Sequence, residues 1–347
     1  MKTVLFLFGG QSNEHEVSIV SASNVYENFP RDDYDVLPVY IDKSGIWYST
    51  LDKINEIPKK LDEVKSSFTE RAVFNFQNGV SSIEIKDQKI NIDILYPLIH
   101  GTTGEDGVIQ GFAKACNLPV VGPSMETALI TFDKDITKSL VKHNGVKVAP
   151  GIVWYKGENY PDYNELIKNY GEKLFIKPAR SGSSVGVSCV KNEKELIPAL
   201  DIAGGEDNKV LIEGAIVGRE IEVAVFVKKN GEKYISKVIG EILPPENNFY
   251  TYEEKYADDS KTGLVISPDL TDQEKSIIYE TVNRTIQGLN IIGSARIDMF
   301  LPDDGIPVLN EVNTIPGCTS ISMYPKLFIA SDMSFKELVK IMIDNAC

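Results

Sequence analysis

The chain is short of cations, cysteine and histidine, and it has no long apolar run. Thirty-six lysines and arginines stand against 50 aspartates and glutamates, a formal net charge of −14 over 347 residues. That deficit argues against a general nucleic-acid surface and against docking on anionic membranes, so neither is expected among its partners. An anionic substrate must instead meet individually placed lysines and arginines. The four cysteines (Cys116, Cys189, Cys318, Cys347) show no CxxC spacing, which fits a reducing compartment and excludes a disulfide framework or a zinc site. Three histidines are too few for a His-rich metal centre. No apolar stretch approaches the ~20 residues of a membrane span. Val4–Phe8 is too short for the core of a secretory leader and is followed by Glu14 and Glu16, so a cytoplasmic location is expected. Neither GxGxxG nor GxxxxGK[ST] occurs, which removes the dinucleotide fingerprint and the Walker A loop.

What is present is ordinary globular composition with room for two or three domains. Val4–Phe8 reads as a buried parallel strand ending at Gly9-Gly10, with a helix over Val17–Tyr26. That is a strand, glycine turn and helix N-terminus, where backbone N–H groups face a ligand. Glu14 in the turn suits a ligand ammonium, or is simply an acid favoured by the helix dipole. Asp35–Ile41, Ile92–Leu95 and Leu118–Val121 read as further strands, and a helix starts at Val108. His100 lies between a strand end and a glycine-rich loop, where open α/β sheets bind ligands. The first boundary falls at Gly122-Pro123. Helical pattern runs from Met125 to His143, and Val148–Trp154, Leu174–Ile176, Val185–Val190, Val210–Glu213 and Ile221–Val227 read as strands. Asp269–Leu289, starting at Thr271, and Phe335–Asp344 read as helices.

Three stretches carry chemistry. In Lys177–Val187 a lysine at a strand end meets a Gly/Ser loop, which lets backbone N–H groups approach phosphate oxygens; a plain hairpin is the other reading. Glu213 and Glu220 flank a turn where a strand edge can read an adenine amine and a ribose hydroxyl, or serve only edge-strand solubility. Residues 244–268 form a long irregular stretch whose Tyr250, Tyr252, Tyr256 and Lys255 suggest a lid. The strongest signal is Arg296–Met323. Asp303-Asp304-Gly305 makes a turn between two strands. Alternation places Arg296 with Asp298, and Glu311 with Asn313, on matching faces about 5 Å apart. Such hard oxygen donors suit Mg²⁺ shared with substrate phosphates; a solvated hairpin face is the alternative.

Together, Gly9-Gly10-x-Ser12-x-Glu14-x-Glu16-Val17-Ser18, His100-Gly101 with Gly104-Glu105-Asp106-Gly107, Lys177-Pro178 with Gly182–Gly186, Arg219-Glu220, Arg296-x-Asp298, and Asn310-Glu311-Val312-Asn313-Thr314-x-Pro316-Gly317 with Tyr324-Pro325-Lys326 resemble the D-alanine–D-alanine ligases of the ATP-grasp superfamily. The resemblance runs from near residue 4 to about residue 330. It implies an α/β fold, α+β in its C-terminal part, in three units: an N-terminal parallel-sheet domain (1–122), a central ATP-grasp subdomain (123–212) and a C-terminal one (213–347) with the lid 244–268. It also implies ATP-dependent joining of two D-alanines through a D-alanyl phosphate, two Mg²⁺ or Mn²⁺ ions and a homodimer. Asp298, Glu311 and Asn313 would hold the metals, and Lys134, Lys177 and Lys255 the phosphates, with N–H groups near Ser184. Glu213 and Ile216 would read adenine, and Glu220 ribose. Glu14 would bind the first ammonium, with His100 beside its carboxylate. Arg296 and the Gly317 N–H would stabilise the tetrahedral intermediate. Ser322 and Met323 would line the second site, and Glu14, Ser183 and Tyr256 would latch the lid. Gly214, Ala215 and Cys318 depart from residues common in the family without touching the chemistry.

Two alternatives make different demands on the sequence. Ligases joining D-alanine to D-serine or D-lactate typically carry Arg after the serine of the second site, where this chain has Met323 after Ser322. A non-catalytic nucleotide-binding module on the same fold would have lost a metal ligand or Arg296, and all are present.

Overall fold

The computed structural model describes residues 1–243 and 263–346, which fold into three sheets. The first contains β1 (Lys2–Gly9), β2 (Tyr34–Ile41), β3 (Trp47–Ser49), β4 (Glu70–Gln77), β5 (Val80–Ile85), β6 (Gln88–Asn91) and β7 (Ile94–Leu98), in the order β6-β5-β4-β3-β2-β1-β7. β1 sits between parallel neighbours β2 and β7. Both its faces are buried, so it reads as an unbroken apolar run. Val4, Phe6 and Phe8 join a core with Ile19, Ala22 and Val25 of α1 (His15–Glu27), and Leu5 and Leu7 join another with Ile109 and Ala113 of α3 (Val108–Ala115). A short α2 (Leu61–Ser67) lies between them in sequence.

Two helices, α4 (Met125–Phe132) and α5 (Lys134–His143), lead to β8 (Lys147–Val148), which pairs into the third sheet. The second sheet is antiparallel, β11-β10-β12-β9, from β9 (Gly151–Tyr155), β10 (Leu174–Pro178), β11 (Ser188–Val190) and β12 (Lys209–Gly214). It is covered by α6 (Tyr163–Tyr170) and α7 (Glu193–Glu206) through Leu166, Leu196 and Leu200. The third sheet comprises β13 (Arg219–Val227), β14 (Lys233–Ile235), β15 (Gly240–Leu243), β16 (Gly263–Ile266), β17 (Gly293–Leu301) and β18 (Val308–Asn313) beside β8. One face packs on α8 (Asp272–Gly288), whose N-cap Thr271 and Glu274 form a capping box. The other face carries α9 (Met323–Ile329), and α10 (Phe335–Ala346) lies against α9. Phe226, Tyr324, Phe328 and Leu338 continue the core that holds Phe6, so the N-terminal and C-terminal units share apolar packing.

Four segments differ from the sequence expectation. The helix expected over 125–143 breaks at Asp133, whose carboxylate accepts from Asp135 N (3.0 Å) and Ile136 N (3.1 Å) and caps α5. The strand expected over 148–154 splits around Pro150 between two sheets. Leu118–Val121 contributes only a bridge, Leu95 to Val120. Of Val185–Val190 only the last three residues pair, because Ser183, Ser184 and Gly186 take φ of 51°, 60° and 75°. Of the expected lid, residues 263–266 form β16, while 244–262, including Lys255 and Tyr256, lie outside the described residues. Residues 123–148, grouped above with the central unit, place Val141 and Val146 in the core of the third sheet.

Gly293, which opens β17, has φ +94°, and a Cβ there would lie 2.1 Å from Gly122 O. We expect Gly293→Ala to lower unfolding free energy by about 2–5 kcal/mol from backbone strain and overlap together. Urea unfolding measures this, and an unchanged midpoint would contradict it.

Candidate active site

The β17–β18 pairing places Arg296 opposite Asn313 and Asp298 opposite Glu311, with a bulge after Asp298. Arg296 is fixed by Asp298, Nε to Oδ1 at 2.8 Å and Nη2 to Oδ2 at 2.7 Å. Its Nε also lies 3.2 Å from Glu222 Oε1. Burial opposes the guanidinium charge, but Asp298 and Glu222 raise its pKa well above the ordinary arginine value. Asn313 Nδ2 donates to Asp298 Oδ2 at 2.8 Å, which leaves the amide oxygen Oδ1 for a cation. Glu222 was not singled out from sequence. Its signal is the alternation of β13, which puts Glu220, Glu222 and Ala224 on one face, with Glu222 opposite Asp298.

Facing this hairpin are lysines from two other elements. Lys134 Nζ donates to Ser181 O at 2.6 Å and lies 3.5 Å from Glu311 Oε2, so it links the Gly/Ser loop to the acidic face. Lys177 Nζ is 2.6 Å from Glu213 Oε2 and 3.4 Å from Asn310 Oδ1. Lys138, one helical turn after Lys134, pairs with Glu213 Oε1. Sequence reasoning passed over Lys138, although the i,i+4 spacing from Lys134 puts both on one face of α5. Burial pushes the Glu213 carboxyl up, but Lys177 and Lys138 outweigh it and hold the pKa at about 2. Burial and the neighbouring Lys177 charge press Lys138 down to about 7, against the pull of Glu213. Burial opposes the Lys177 charge too, but there Glu213 and Glu311 outweigh it and raise the pKa. Glu213 therefore has both oxygens engaged by lysines. The expected adenine contact falls to an oxygen that these ammoniums share.

The N-terminal unit closes the third side. Ser183 donates from Oγ to Glu14 Oε1, joining residues 169 apart in sequence. The carboxylate fits between two loops because Gly101 and Gly182 lack side chains: a Cβ on either would lie 2.8 or 2.7 Å from Glu14 Oε2. The third member of the expected latch, Tyr256, is among the residues not described. His100 is buried, with Nδ1 donating to Ile315 O at 2.9 Å and Nε2 3.0 Å from Ser21 Oγ. Burial favours the neutral ring, but Glu105, 3.7 Å away, raises the His100 pKa. Both ring nitrogens thus have protein partners, and through Ile315 O the ring braces the turn that follows β18. Glu105, unassigned from sequence, has its own pKa raised, first by burial.

The turn after β18 brings Gly317 and Ser322 together: a Cβ on Gly317 would lie 3.0 Å from Ser322 Oγ. Ser322 Oγ accepts from Thr319 N at 3.1 Å. Met323, expected to line the second site, has a side chain 3 % exposed that packs against Gly240 beside the apolar core. Ile216 and Glu220 are half-buried on and after the β12–β13 connection. Glu220, near the start of β13, pairs in register with Phe300 on one side and Ile242 on the other, so its strand is interior to the sheet and not an edge.

Among the described residues no three His, Cys, Asp or Glu side chains cluster as a protein-only metal cage. Two carboxylates and an amide oxygen on one face fit a different cation, Mg²⁺ completed by phosphate oxygens and water.

The buried Lys138–Glu213–Lys177 group has a titration signature. Glu213 has a folded pKa of about 2 against the ordinary 4.5, so its stabilisation is complete above about pH 4.5 and disappears as pH falls toward 2. Glu213→Gln should be less stable at neutral pH, and its deficit should shrink between about pH 5 and 2.5. Denaturant titrations across that window test this; a constant deficit would contradict it.

The model of the D-ala D-ala ligase N-terminus matches residues 3–123, and that of the C-terminus residues 140–344. The chain is 41 % identical to a D-alanine–D-alanine ligase of Oceanobacillus iheyensis over 99 % of this chain and 95 % of that one. It is 40 % identical to one of Lactobacillus johnsonii over 98 % of this chain and 93 % of that one. Among solved structures, the VanG D-Ala:D-Ser ligase of Enterococcus faecalis superposes with TM-score 0.86 at 30 % identity, covering 100 % of this chain and 99 % of that one. The ATP complex of the Bacillus anthracis D-alanine–D-alanine ligase superposes with TM-score 0.72 at 26 % identity, covering 100 % and 97 %. With both halves of its length matched by the family's models and whole-chain relatives at about two-fifths identity, the chain belongs to the D-alanine–D-alanine ligase family.

Proposed function

We propose that the protein joins two D-alanines with cleavage of ATP to ADP and phosphate, the phosphate taking one oxygen from the first D-alanine's carboxylate, and that the residues gathered above do the work. The observation that carries this reading is the meeting of Arg296, Asp298, Glu311 and Asn313 with Lys134 and Lys177 across 3.4–3.5 Å contacts to Glu311 and Asn310. A carboxylate is a poor acyl donor, and transfer of a phosphoryl group supplies its leaving group. Phosphoryl transfer asks a protein chiefly for positioning and charge neutralisation. Bound Mg²⁺ would neutralise phosphate charge on the Asp298–Glu311–Asn313 face. Lys134 and Lys177 supply fixed positive charge over the phosphates, and the loop at Ser183 and Ser184 turns backbone N–H groups toward them. Glu213, Ile216 and Glu220 lie along the nucleotide's base and ribose. Glu14 orients the first ammonium, while Arg296 and the Gly317 N–H face the oxygen that becomes negative when the second amine attacks. Ser322 holds the acceptor. Lys255 and Tyr256 complete the site in this proposal.

The three-unit division at residues 123 and 213, a cytoplasmic location and a homodimer complete the proposal, supported by family membership. Among the described residues no helix is long and apolar enough to cross a membrane.

D-Alanine is favoured over D-serine or D-lactate as acceptor because Met323, after the acceptor-site serine, is tucked into the core and places no cation there. With ATP, Mg²⁺ and D-alanine the enzyme should form D-alanyl-D-alanine and release phosphate strictly in response to D-alanine. Glu311→Ala should lose that release while unfolding as the parent does. Absence of D-alanine-stimulated phosphate release in the parent would refute the ligase reading. Efficient use of D-serine or D-lactate at neutral pH in competition with D-alanine would refute the acceptor assignment. Arg296→Ala should cut kcat by about 10²–10³, as for other donors at a developing oxyanion; steady-state kinetics measure this, and a loss under about fivefold would remove Arg296 from that role.

A further inference from the structure

The turn Thr314–Cys318 comes from the C-terminal unit, yet much of its hydrogen bonding goes to the N-terminal one. His100 Nδ1 donates to Ile315 O at 2.9 Å, and His100 Nε2 lies 3.0 Å from Ser21 Oγ. Ser21 Oγ in turn accepts from Cys318 N at 3.2 Å, across 297 residues. Asn24, one turn further along α1, donates from Nδ2 to Cys318 O at 2.6 Å. From its own unit, Ser294 Oγ donates to Thr314 O at 2.7 Å, Cys318 Sγ donates to Pro316 O at 3.3 Å, and Thr319 N donates to Ser322 Oγ at 3.1 Å.

Each bond orients a peptide plane. His100 sets the plane between Ile315 and Pro316. Ser21 sets the one between Gly317 and Cys318, and Asn24 with Ser322 sets the one between Cys318 and Thr319. The Gly317 N–H lies in the remaining plane, between Pro316 and Gly317, whose carbonyl accepts from Cys318 Sγ at 3.3 Å, and none of the bonds uses the N–H itself. Glycine has the widest backbone freedom of any residue, so an N–H at Gly317 points consistently only if its neighbours are held. A donor that stabilises developing charge is effective when it needs no reorganisation at the moment of reaction.

We propose that Ser21 and Asn24 of α1 are positioning residues for the Gly317 N–H, so that the oxyanion-stabilising turn is completed by the N-terminal unit. This deepens the ligase reading and rests on it. Neither side chain touches substrate; both act through Cys318. Removing either leaves the phosphate-binding lysines and the Asp298–Glu311–Asn313 face intact. The effect should therefore fall on the step that develops charge at the acyl oxygen, and not on nucleotide binding.

The test uses full-length Asn24→Asp, which keeps size but sets a carboxylate against Cys318 O, and the milder Ser21→Ala. Parent and variants are compared for kcat, for KM of ATP and of each D-alanine, for ADP affinity by calorimetry, and for Tm. Loss of the Asn24 donor to Cys318 O should lower kcat by about tenfold or more in Asn24→Asp, and loss of the Ser21 acceptor for Cys318 N by about threefold or more in Ser21→Ala. KM for ATP and ADP affinity should stay within about twofold. Asn24→Gln, which retains the amide donor, should recover part of kcat. Unchanged kcat in both variants would overturn the proposal. So would a fall in kcat matched by equal losses of ADP affinity and Tm, which marks general loosening. A parent that forms no D-alanyl-D-alanine would instead overturn the ligase reading, and the two failures are thereby told apart.

Discussion

A permanent charge largely sunk between apolar strands must be paired, and Arg296, its side chain only 19 % exposed, is that charge. Its guanidinium lies in the sheet between Ala295 and Ile297, both fully buried, and is neutralised by Asp298 on its own strand and Glu222 on the next. Those acids in turn are tolerable because the arginine pairs with both and Asn313 adds a donor to Asp298. The arrangement depends on register. A one-residue slip of β18 against β17 would send Glu311 and Asn313 to the opposite face, into the α8 core. The glycine that opens β17 and the bulge after Asp298 belong to the same constraint.

Around that fixed charge the site is assembled from three sheets that have little sequence proximity. Glu14 meets Ser183, Lys134 meets Glu311, Lys177 meets Asn310, and α1 meets Cys318. Hydrogen bonds over such separations do not hold the units together by themselves, because each contributes only about 1 kcal/mol net. The shared apolar core does most of that holding: Phe6, Tyr96 and Leu98 from the N-terminal sheet pack in one cluster with Tyr324, Phe328 and Leu338. The central sheet has its own small core around Trp154 and Leu200, and its loop reaches the site through Lys177 and the serines. The lysine cluster on Glu213 distributes charge the other way. Two ammoniums share one carboxylate, and burial together with the neighbouring Lys177 charge brings Lys138 to a pKa of about 7.

Much of this was legible in sequence because it is local. Strand alternation placed Arg296, Asp298, Glu311 and Asn313 on matching faces, and the observed pairing has that register. The apolar run at Val4–Phe8 and the Thr271 cap were readable for the same reason. What escaped depends on partners distant in the chain. No pattern around Met323 announces that its side chain packs against Gly240, more than 80 positions away. Glu222 looked like one more strand residue until β17 came alongside. His100 was readable as a site residue, yet its bond to Ile315 O spans 215 positions and no pattern announces it. The breaks at Asp133 and Pro150 were local signals, outweighed in reading by the apolar periodicity on either side of them.

If the face built on Arg296, Asp298, Glu311 and Asn313 serves phosphorylation of a D-alanine carboxylate, one oxygen of that carboxylate must leave with the phosphate. The most direct measurement uses D-alanine labelled with ¹⁸O in its carboxylate, with ATP and Mg²⁺, and mass analysis of the phosphate released. Phosphoryl transfer to the carboxylate followed by attack of the second amine leaves one labelled oxygen in each phosphate formed with dipeptide. Phosphate free of label, formed in step with the dipeptide, would contradict that role for the face.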